Sequence, residues 1–290
     1  MFDLEDLTTF VEVADAGGVT AGARRLGLPK SIVSRRLMRL EQDLGAQLLA
    51  RTTRGAALTE AGASFREHAA RVVAELEAAR EAATPEGDVY GRLRIAAPLT
   101  FGPTHLAPVL AELARRHPKL HVHTAFSDRF VDLVGEGFDV GVRVGIMPDS
   151  NLVARRIAPM RGSCVASPGY IKVHGAPQTP EELLQHECLV QGAQTWPFVV
   201  NRKTITIRPQ GRFKADNGVA LAAAAVAGLG ITALPDFLVE DHVVSGALVR
   251  VLRDFPTPEL GIYVVRPPSE FAPRKVRALI DILLEHFGRR

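Results

Sequence analysis

The sequence predicts an α/β protein in three parts: an all-α N-terminal region with the order of a winged helix-turn-helix, a long linker helix, and a two-lobed α/β region. Three observations predict it. Up to about residue 45, apolar residues recur at three- and four-residue spacings in short segments broken by glycine. A heptad seam then runs from Phe65 to Ala83. Beyond Thr84-Pro85-Glu86-Gly87-Asp88, a linker by composition, strand and helix patterns alternate to the C-terminus. Such alternation implies a largely parallel sheet with helices on both faces. About 200 residues is long for one sheet, so two lobes flanking a cleft are expected.

Residues 4–16 carry Leu4, Leu7, Val11 and Ala14 on one helical face, and Gly17-Gly18 ends the segment. Thr20 is suited to cap a short second helix, Ala21 to Leu26, which Gly27 breaks. Pro29 suits the first turn of a third helix, where its missing N–H has no acceptor. That helix runs to about Leu44. Its apolar stripe is Val33, Leu37, Leu40 and Leu44. Ser31, Ser34, Arg35 and Met38 fall on the opposite face, flanked by Ile32 and Arg39. Small hydroxyls admit close approach to DNA, and arginine takes a guanine edge or phosphates. Leu48 to Leu58 reads as a short hairpin whose basic tip, with Arg51 and Arg54, forms a wing.

Thr59 caps the long helix, Glu60 to about Ala83. Phe65, Ala69, Val72, Leu76, Ala79 and Ala83 form its seam, and the helix extends over ~35 Å. Pairing with a second copy is the favoured reading of that seam; the other is an amphipathic helix lying on its own domain. In the α/β region strands are expected at 93–97, 120–126, 138–144, 231–234, 248–252 and 260–265, with further short elements at 163–166, 181–185, 188–191, 204–208 and 212–216. Helices are expected at 103–117, 128–136, 219–227, 236–244 and 274–287.

Charge is informative by position rather than in total. Residues 1–18 hold five acids and no base. Residues 19–54 hold eight bases against two acids, a local net +6 within a chain of net charge +3. A basic block of this kind is what a polyanion-binding surface requires. The chain has no Gly-x-Ser-x-Gly elbow, no His-Glu-x-x-His and no phosphate loop, so no catalytic residue, metal site or cofactor is assigned. His121 and His123 read as a structural or surface pair rather than a metal site, and Gly228-Leu229-Gly230 precedes a strand, the wrong order for a nucleotide loop. Cys164 and Cys188 read as reduced, partly buried thiols, with no basic neighbour to suggest a redox role. No stretch of ~20 apolar residues is present and the N-terminus is acidic, so the expectation is a cytoplasmic protein without membrane association.

The chain resembles the LysR-type transcriptional regulators over essentially its whole length. The resemblance is carried by Ala23-Arg24-Arg25-Leu26-Gly27-Leu28-Pro29-Lys30-Ser31-Ile32-Val33-Ser34-Arg35-Arg36-Leu37, then Arg39-Leu40-Glu41, Leu44-Gly45, Leu48-Leu49, Arg51-Thr52 and Leu58-Thr59-Glu60-Ala61-Gly62. Weaker matches follow in order: Leu93 to Pro98, Leu106-Ala107-Pro108, His117-Pro118, Ser127-Asp128, Gly137-Phe138-Asp139, Ala166-Ser167-Pro168 and Gly228 to Pro235. It implies a DNA-binding domain over 1–58, a dimerisation helix and hinge over 59–88, and an effector-binding domain over 89–290. The last would be built like a periplasmic binding protein, with lobe I at about 89–161 and 267–290 and lobe II at about 162–266.

The resemblance also implies partners. These are double-stranded DNA at an interrupted palindrome in a promoter, a small-molecule effector in the cleft, a second or third and fourth copy of the chain, and RNA polymerase. By position, Lys30, Ser31, Ile32 and Arg35 match base contacts; Ser34, Arg36, Arg51, Thr52 and Arg54 match backbone and wing contacts; Thr20 and Arg39 join them as candidates. Candidate effector residues are Leu99, Thr100, Phe101, Ser127, Val144, Gly145, Thr195, Trp196 and Asn217, with the Thr195–Trp196 region expected as a loop lining the cleft. Pro29 and Lys30 depart from the family's frequent Ser and Gln, which replaces an adenine-reading amide with a cation. Arg143 is expected to face either the ligand or a carboxylate such as Asp139. A transport-type binding protein and an architectural DNA-binding protein without effector response are the competing non-enzyme readings.

Overall fold

The computed structural model describes residues 3–52, 55–83, 87–129, 131–147, 150–192, 195–269 and 271–288. The chain divides into two compact units. One is Met1–Asp88 with Val134–Gly137 and Ser269–Arg274; the other is Val89–Leu133, Phe138–Pro268 and Lys275–Arg290.

The first unit opens with α1 (Leu4–Asp15), α2 (Val19–Leu26) and α3 (Lys30–Leu44). Asp3 caps α1 by accepting the Glu5 N–H at 2.9 Å. Thr20 does not cap α2. The helix begins two residues earlier than expected, at Val19, and the cap position falls on Gly18, whose φ of +155° suits glycine and whose carbonyl accepts the Gly22 N–H at 2.9 Å. Pro29 stands immediately before α3, and its carbonyl accepts the N–H groups of Ile32 and Val33. The buried stripe of α3, Val33, Leu37 and Leu40, packs with Leu7, Phe10 and Val13 of α1, Ala23, Leu48 and Ala69. β1 (Leu49–Thr52) and β2 (Gly55–Leu58) form the antiparallel hairpin.

The linker helix α4 (Glu60–Ala83) starts as expected, with the Thr59 hydroxyl accepting the Gly62 N–H at 2.9 Å. Its seam does not act as one surface. Ala69 is buried in the unit's own core and Phe65 packs on it, 5.6 Å from the Phe10 ring centroid. Leu76 is half-buried, while Val72 and Ala79 are exposed. The N-terminal rungs are therefore spent within the chain, and only the later part of the seam is available to a second copy. The side chain of Ala83 lies outside the described residues.

The second unit contains a five-stranded sheet in the order β4-β3-β5-β14-β6. Its strands are β3 (Gly91–Ala97), β4 (Leu120–Phe126), β5 (Val140–Gly145), β6 (Val153–Met160) and β14 (Leu260–Arg266). A π-helical turn (Gly102–Leu106) and α5 (Ala107–Arg116) connect β3 to β4. The sheet is mixed, not largely parallel: β3 runs parallel to β4 and β5, but β14 is antiparallel to both β5 and β6. Parallel neighbours need a helical crossover, which β3–β4 has; β14 instead comes back beside the strand by which the chain left. The second passage between lobes accordingly lies before Leu260 rather than at 266–268. β14 belongs to lobe I.

Lobe II holds β7 (Gly162–Ala166), α6 (Pro168–His174), a 3-10 turn (Pro180–Gln185), β8 (Leu189–Val190), β9 (Trp196–Val200), β10 (Lys203–Ile207), β11 (Phe213–Lys214), α7 (Gly218–Val226), β12 (Thr232–Pro235), α8 (Asp236–Val244) and β13 (Val249–Val251). β12 and β13 flank β7, both antiparallel. α9 (Arg274–Phe287) closes the chain.

Sequence periodicity misses β6, α6 and β9. The first half of β6 is exposed and carries Arg155-Arg156, while α6 has only seven residues. The helix expected at 128–136 is absent among the described residues of that stretch; Phe138 N–H to Leu133 O, at 2.8 Å, closes a turn instead. Asp128, its expected first residue, directs its carboxylate elsewhere, accepting the Thr100 N–H at 3.4 Å and the Asn217 amide at 2.8 Å.

Cys164 and Cys188 are buried in a lobe II core with Tyr170, Trp196 and Phe198. Burial raises both thiols, Cys188 to about 12 and Cys164 further. The stability carried by the neutral Cys188 is full below its ordinary value of 9.0 and is lost as pH rises toward 12. Iodoacetamide at pH 8 should therefore label neither thiol in the native protein and both in urea. Rapid native labelling, read by mass spectrometry, would show the thiols to be accessible.

Candidate functional site

Two surfaces collect the candidate residues, one in each unit. On α3, Lys30, Ser31, Ser34, Arg35 and Met38 are exposed, and Ile32 and Arg36 are half-buried beside them. Among the described residues, Arg24, Arg25, Lys30 and Arg35 find no ion-pair partner, so their charge is available to a polyanion. Arg36 and Arg39 are differently placed. Arg36 contacts Glu5 and donates to the Thr9 hydroxyl at 3.3 Å. Arg39 grips the buried Asp6 with two nitrogens and reaches Asp3 at 3.3 Å. In the free chain both arginines hold α3 against α1 rather than stand ready for phosphates. Arg66 of α4 similarly donates to Asp15 of α1 through Nε at 2.8 Å. Asp3, Glu5, Asp6 and Asp15 thus neutralise arginines within the unit. The charge asymmetry read along the sequence is partly internal complementarity.

Glu41 is a positioning residue that charge counting passed over. Its Oε1 accepts the N–H groups of Leu48 at 2.8 Å and Leu49 at 3.0 Å, fixing the entry to the hairpin from α3. The side chains of Arg51 and Thr52, and all of Arg54, lie outside the described residues.

In the second unit a cavity of about 250 Å³ opens between the lobes. Thr100, Ser127, Val144 and Gly145 line it, as do Asp128, Arg129 and Arg143 of lobe I and Gln191, Asp216 and Phe237 of lobe II. Asn217 joins the lobes across it. Its Oδ1 caps α7 by accepting the N–H groups of Val219 and Ala220, while its Nδ2 donates to Asp128 Oδ2 at 2.8 Å. Two candidates are corrected. Phe101 is only 1% exposed and packs against His105, Phe237 and Phe287. Trp196 begins β9, not a loop, and its indole is buried in the lobe II core. Leu99 and Thr195 are exposed.

Arg143 faces the cavity and donates to the Val131 carbonyl at 3.5 Å. Burial alone lowers its pKa. Asp139 is not its partner, because that carboxylate accepts the Lys275 ammonium and the Arg94 N–H, each at 2.7 Å. Sequence reading missed Asp128, Arg129, Gln191, Asp216 and Phe237. The Ser127-Asp128 pair was visible, but Asp128 had been placed in a helix.

A surface of hydroxyls and guanidiniums on a second helix of a helix-turn-helix, with a cleft in an α/β domain, is the arrangement of a ligand-responsive DNA-binding protein. A family model described as the LysR substrate binding domain matches residues 86–288, and one described as a bacterial regulatory helix-turn-helix protein of the lysR family matches residues 4–63. The chain belongs to the LysR family of transcriptional regulators. As a LysR-type regulator it binds DNA through the helix-turn-helix domain, carries an effector-binding domain, and is not an enzyme. The regulator is 38% identical to the HTH-type transcriptional regulator PtxR of Pseudomonas aeruginosa, over 99% of this chain and 94% of that one. It is 32% identical to CrgA of Neisseria meningitidis serogroup B, over 98% and 97%. Among solved structures, the full-length Vibrio cholerae virulence activator AphB superposes with a TM-score of 0.60 at 32% identity, covering 98% of this regulator and 100% of AphB. CrgA gives 0.59 at 32%, with 98% of each chain covered. Among the described residues of the regulator, no helix is long and apolar enough to cross a membrane, and no group of three His, Cys, Asp or Glu is placed to hold a metal ion.

Proposed function

We propose that the regulator, acting in the cytoplasm, binds an interrupted palindrome in a promoter as a homodimer or homotetramer, and that a small effector between the lobes alters how it bends that DNA. The observation that carries this reading is the exposed face of α3, where Lys30, Ser31 and Arg35 stand together while Arg36 and Arg39 are held by α1. On this reading Lys30, Ser31, Ile32 and Arg35 meet base edges in the major groove, and the wing meets phosphates. The DNA-binding domain is 1–58, the dimerisation helix and hinge 59–88 and the effector domain 89–290. The exposed Val72 and Ala79 on α4 support pairing with a second copy. RNA polymerase is the partner that the bound assembly would contact.

The test is a mobility shift and footprint on the intergenic DNA upstream of the regulator's own gene, across a salt series. A protected palindrome, with affinity falling steeply as salt rises, is expected. Binding without a preferred site would defeat the promoter-specific reading.

In the cleft, Asp128→Ala removes the Asn217 contact and the Thr100 N–H contact together. A loss of about 1–3 kcal/mol in the stability of the second unit is expected from two hydrogen bonds to a carboxylate. Urea melting reads it, and an unchanged midpoint would show that the bridge carries no net energy. A thermal-shift screen of organic metabolites should find a ligand that raises the melting temperature of the second unit.

A further inference from the structure

Lobe II has a second concavity, of about 860 Å³, on a different surface from the cleft. One wall is formed by His174 of α6 and by His186 and Glu187 after the 3-10 turn. The other is formed by Arg208 and Arg212 of the loop after β10 and by Lys214 of β11. All three of these cations are exposed; among the described residues none of them has an ion-pair partner, and Glu187 is the one carboxylate of the described lining. Its Oε2 accepts the Arg212 backbone N–H at 3.3 Å. The opposite wall is stiffened by Tyr170, whose hydroxyl accepts the Glu187 N–H at 3.0 Å and lies 3.2 Å from His186 Nδ1. His174 stacks on the Tyr170 ring at 4.5 Å.

An excess of positive charge gathered in a concave polar surface raises the local concentration of anions. Three unpaired cations on one wall would repel one another, and a ligand bearing several charges relieves that repulsion where a single chloride does not. We propose that this groove binds a small anion carrying two or more negative charges, a phosphate ester or a polycarboxylate, as a second input to the sensor. Its location gives that input a route to the cleft. β8 and β11 are paired in parallel; Lys214 faces the groove, and the residue two further on, Asp216, lines the cleft. Gln191, just after β8, ties the two strands there by donating to the Asp216 carbonyl at 2.9 Å.

The experiment is titration calorimetry of the full-length regulator with pyrophosphate and, separately, with propane-1,2,3-tricarboxylate, at constant ionic strength. Saturable binding of one anion per chain is expected, with the stronger of the two probes assigning the phosphate or carboxylate class. The combined variant Arg208→Gln, Arg212→Gln, Lys214→Gln should weaken binding about tenfold or more, because the charges act together at short range. Glu187→Gln should tighten it by about threefold, since it removes the opposing charge while keeping an acceptor for Arg212. A gain of that kind is not produced by misfolding. Arg35→Ala should bind as the unaltered protein does, separating the groove from the DNA-binding face. Absence of saturable binding by either probe overturns the proposal. So does a triple variant that binds normally, a Glu187→Gln variant that binds more weakly, or loss of binding in Arg35→Ala.

Discussion

Replacing Arg35 with alanine is expected to weaken binding to the regulator's own promoter by about 1–3 kcal/mol, roughly 5- to 150-fold, and to relax preference at one base pair of each half-site. The size follows from its position. Arg35 is exposed on α3 and has no ion-pair partner among the described residues, so its guanidinium can form a bidentate contact with a guanine. Arg36→Ala, one residue along, gives a contrasting result, because Arg36 is tied to Glu5 and Thr9 of α1. Its loss should appear first as lower stability of the N-terminal unit, with sequence preference kept. Quantitative mobility shifts against single-base operator variants, beside a thermal melt, distinguish the two. Equal loss of affinity on every operator in Arg35→Ala would make it a phosphate contact rather than a reader of sequence.

Gly62→Ala is the larger expected effect on stability. A Cβ at Gly62 would lie 2.0 Å from the Leu48 carbonyl oxygen and 2.8 Å from its carbon, both backbone atoms that no rotamer change moves aside. Leu48 is itself pinned, with its N–H on Glu41 and its carbonyl accepting the Thr59 N–H at 3.0 Å. Alanine gains about 1 kcal/mol of helix propensity in an unconstrained helix. Overpacking of this severity costs about 3 kcal/mol, so the overlap wins. A fall of roughly 10–15 °C in the melting of the N-terminal unit is expected for that net loss. DNA binding should fail at the same temperature, while the second unit melts as before. A rise in the melting temperature would mean that helix propensity outweighs the overlap at the start of α4.

These two residues illustrate what was readable from the chain. Periodicity located α1, α3 and the start of α4 because each buries a stripe against one core, and Thr59-Glu60-Ala61-Gly62 carried its cap in plain view. The exposed face of α3 was legible for the same reason: helical spacing alone separates Ser31, Ser34 and Arg35 from Val33, Leu37 and Leu40. The fate of Arg36 and Arg39 was not, since their partners Glu5 and Asp6 lie some thirty residues away and charge counts do not say which charges meet. In the cleft, the matching positions lie at strand ends that periodicity locates: Thr100 and Ser127 follow β3 and β4, and Val144 and Gly145 end β5. Trp196 and Phe101 failed because large aromatics read equally well as walls of a site or as core. Asp128 failed because its bonds to Thr100 and Asn217 are long-range, and local pattern assigned it to a helix.

The pairing of β14 with β6 has a consequence for how the protein can be taken apart. Leu260 lies directly opposite Met160 in the antiparallel register, so the two points where the chain leaves and re-enters lobe I are neighbours about 5 Å apart. Lobe II is therefore an insertion into what would otherwise be an ordinary β-hairpin. Grafting a two-residue Asn-Gly turn between Met160 and Leu260 would restore that hairpin and leave the strand order of lobe I unbroken. The sensor can then be viewed as one half-domain hosting another, with each open to replacement without redrawing the sheet that carries it.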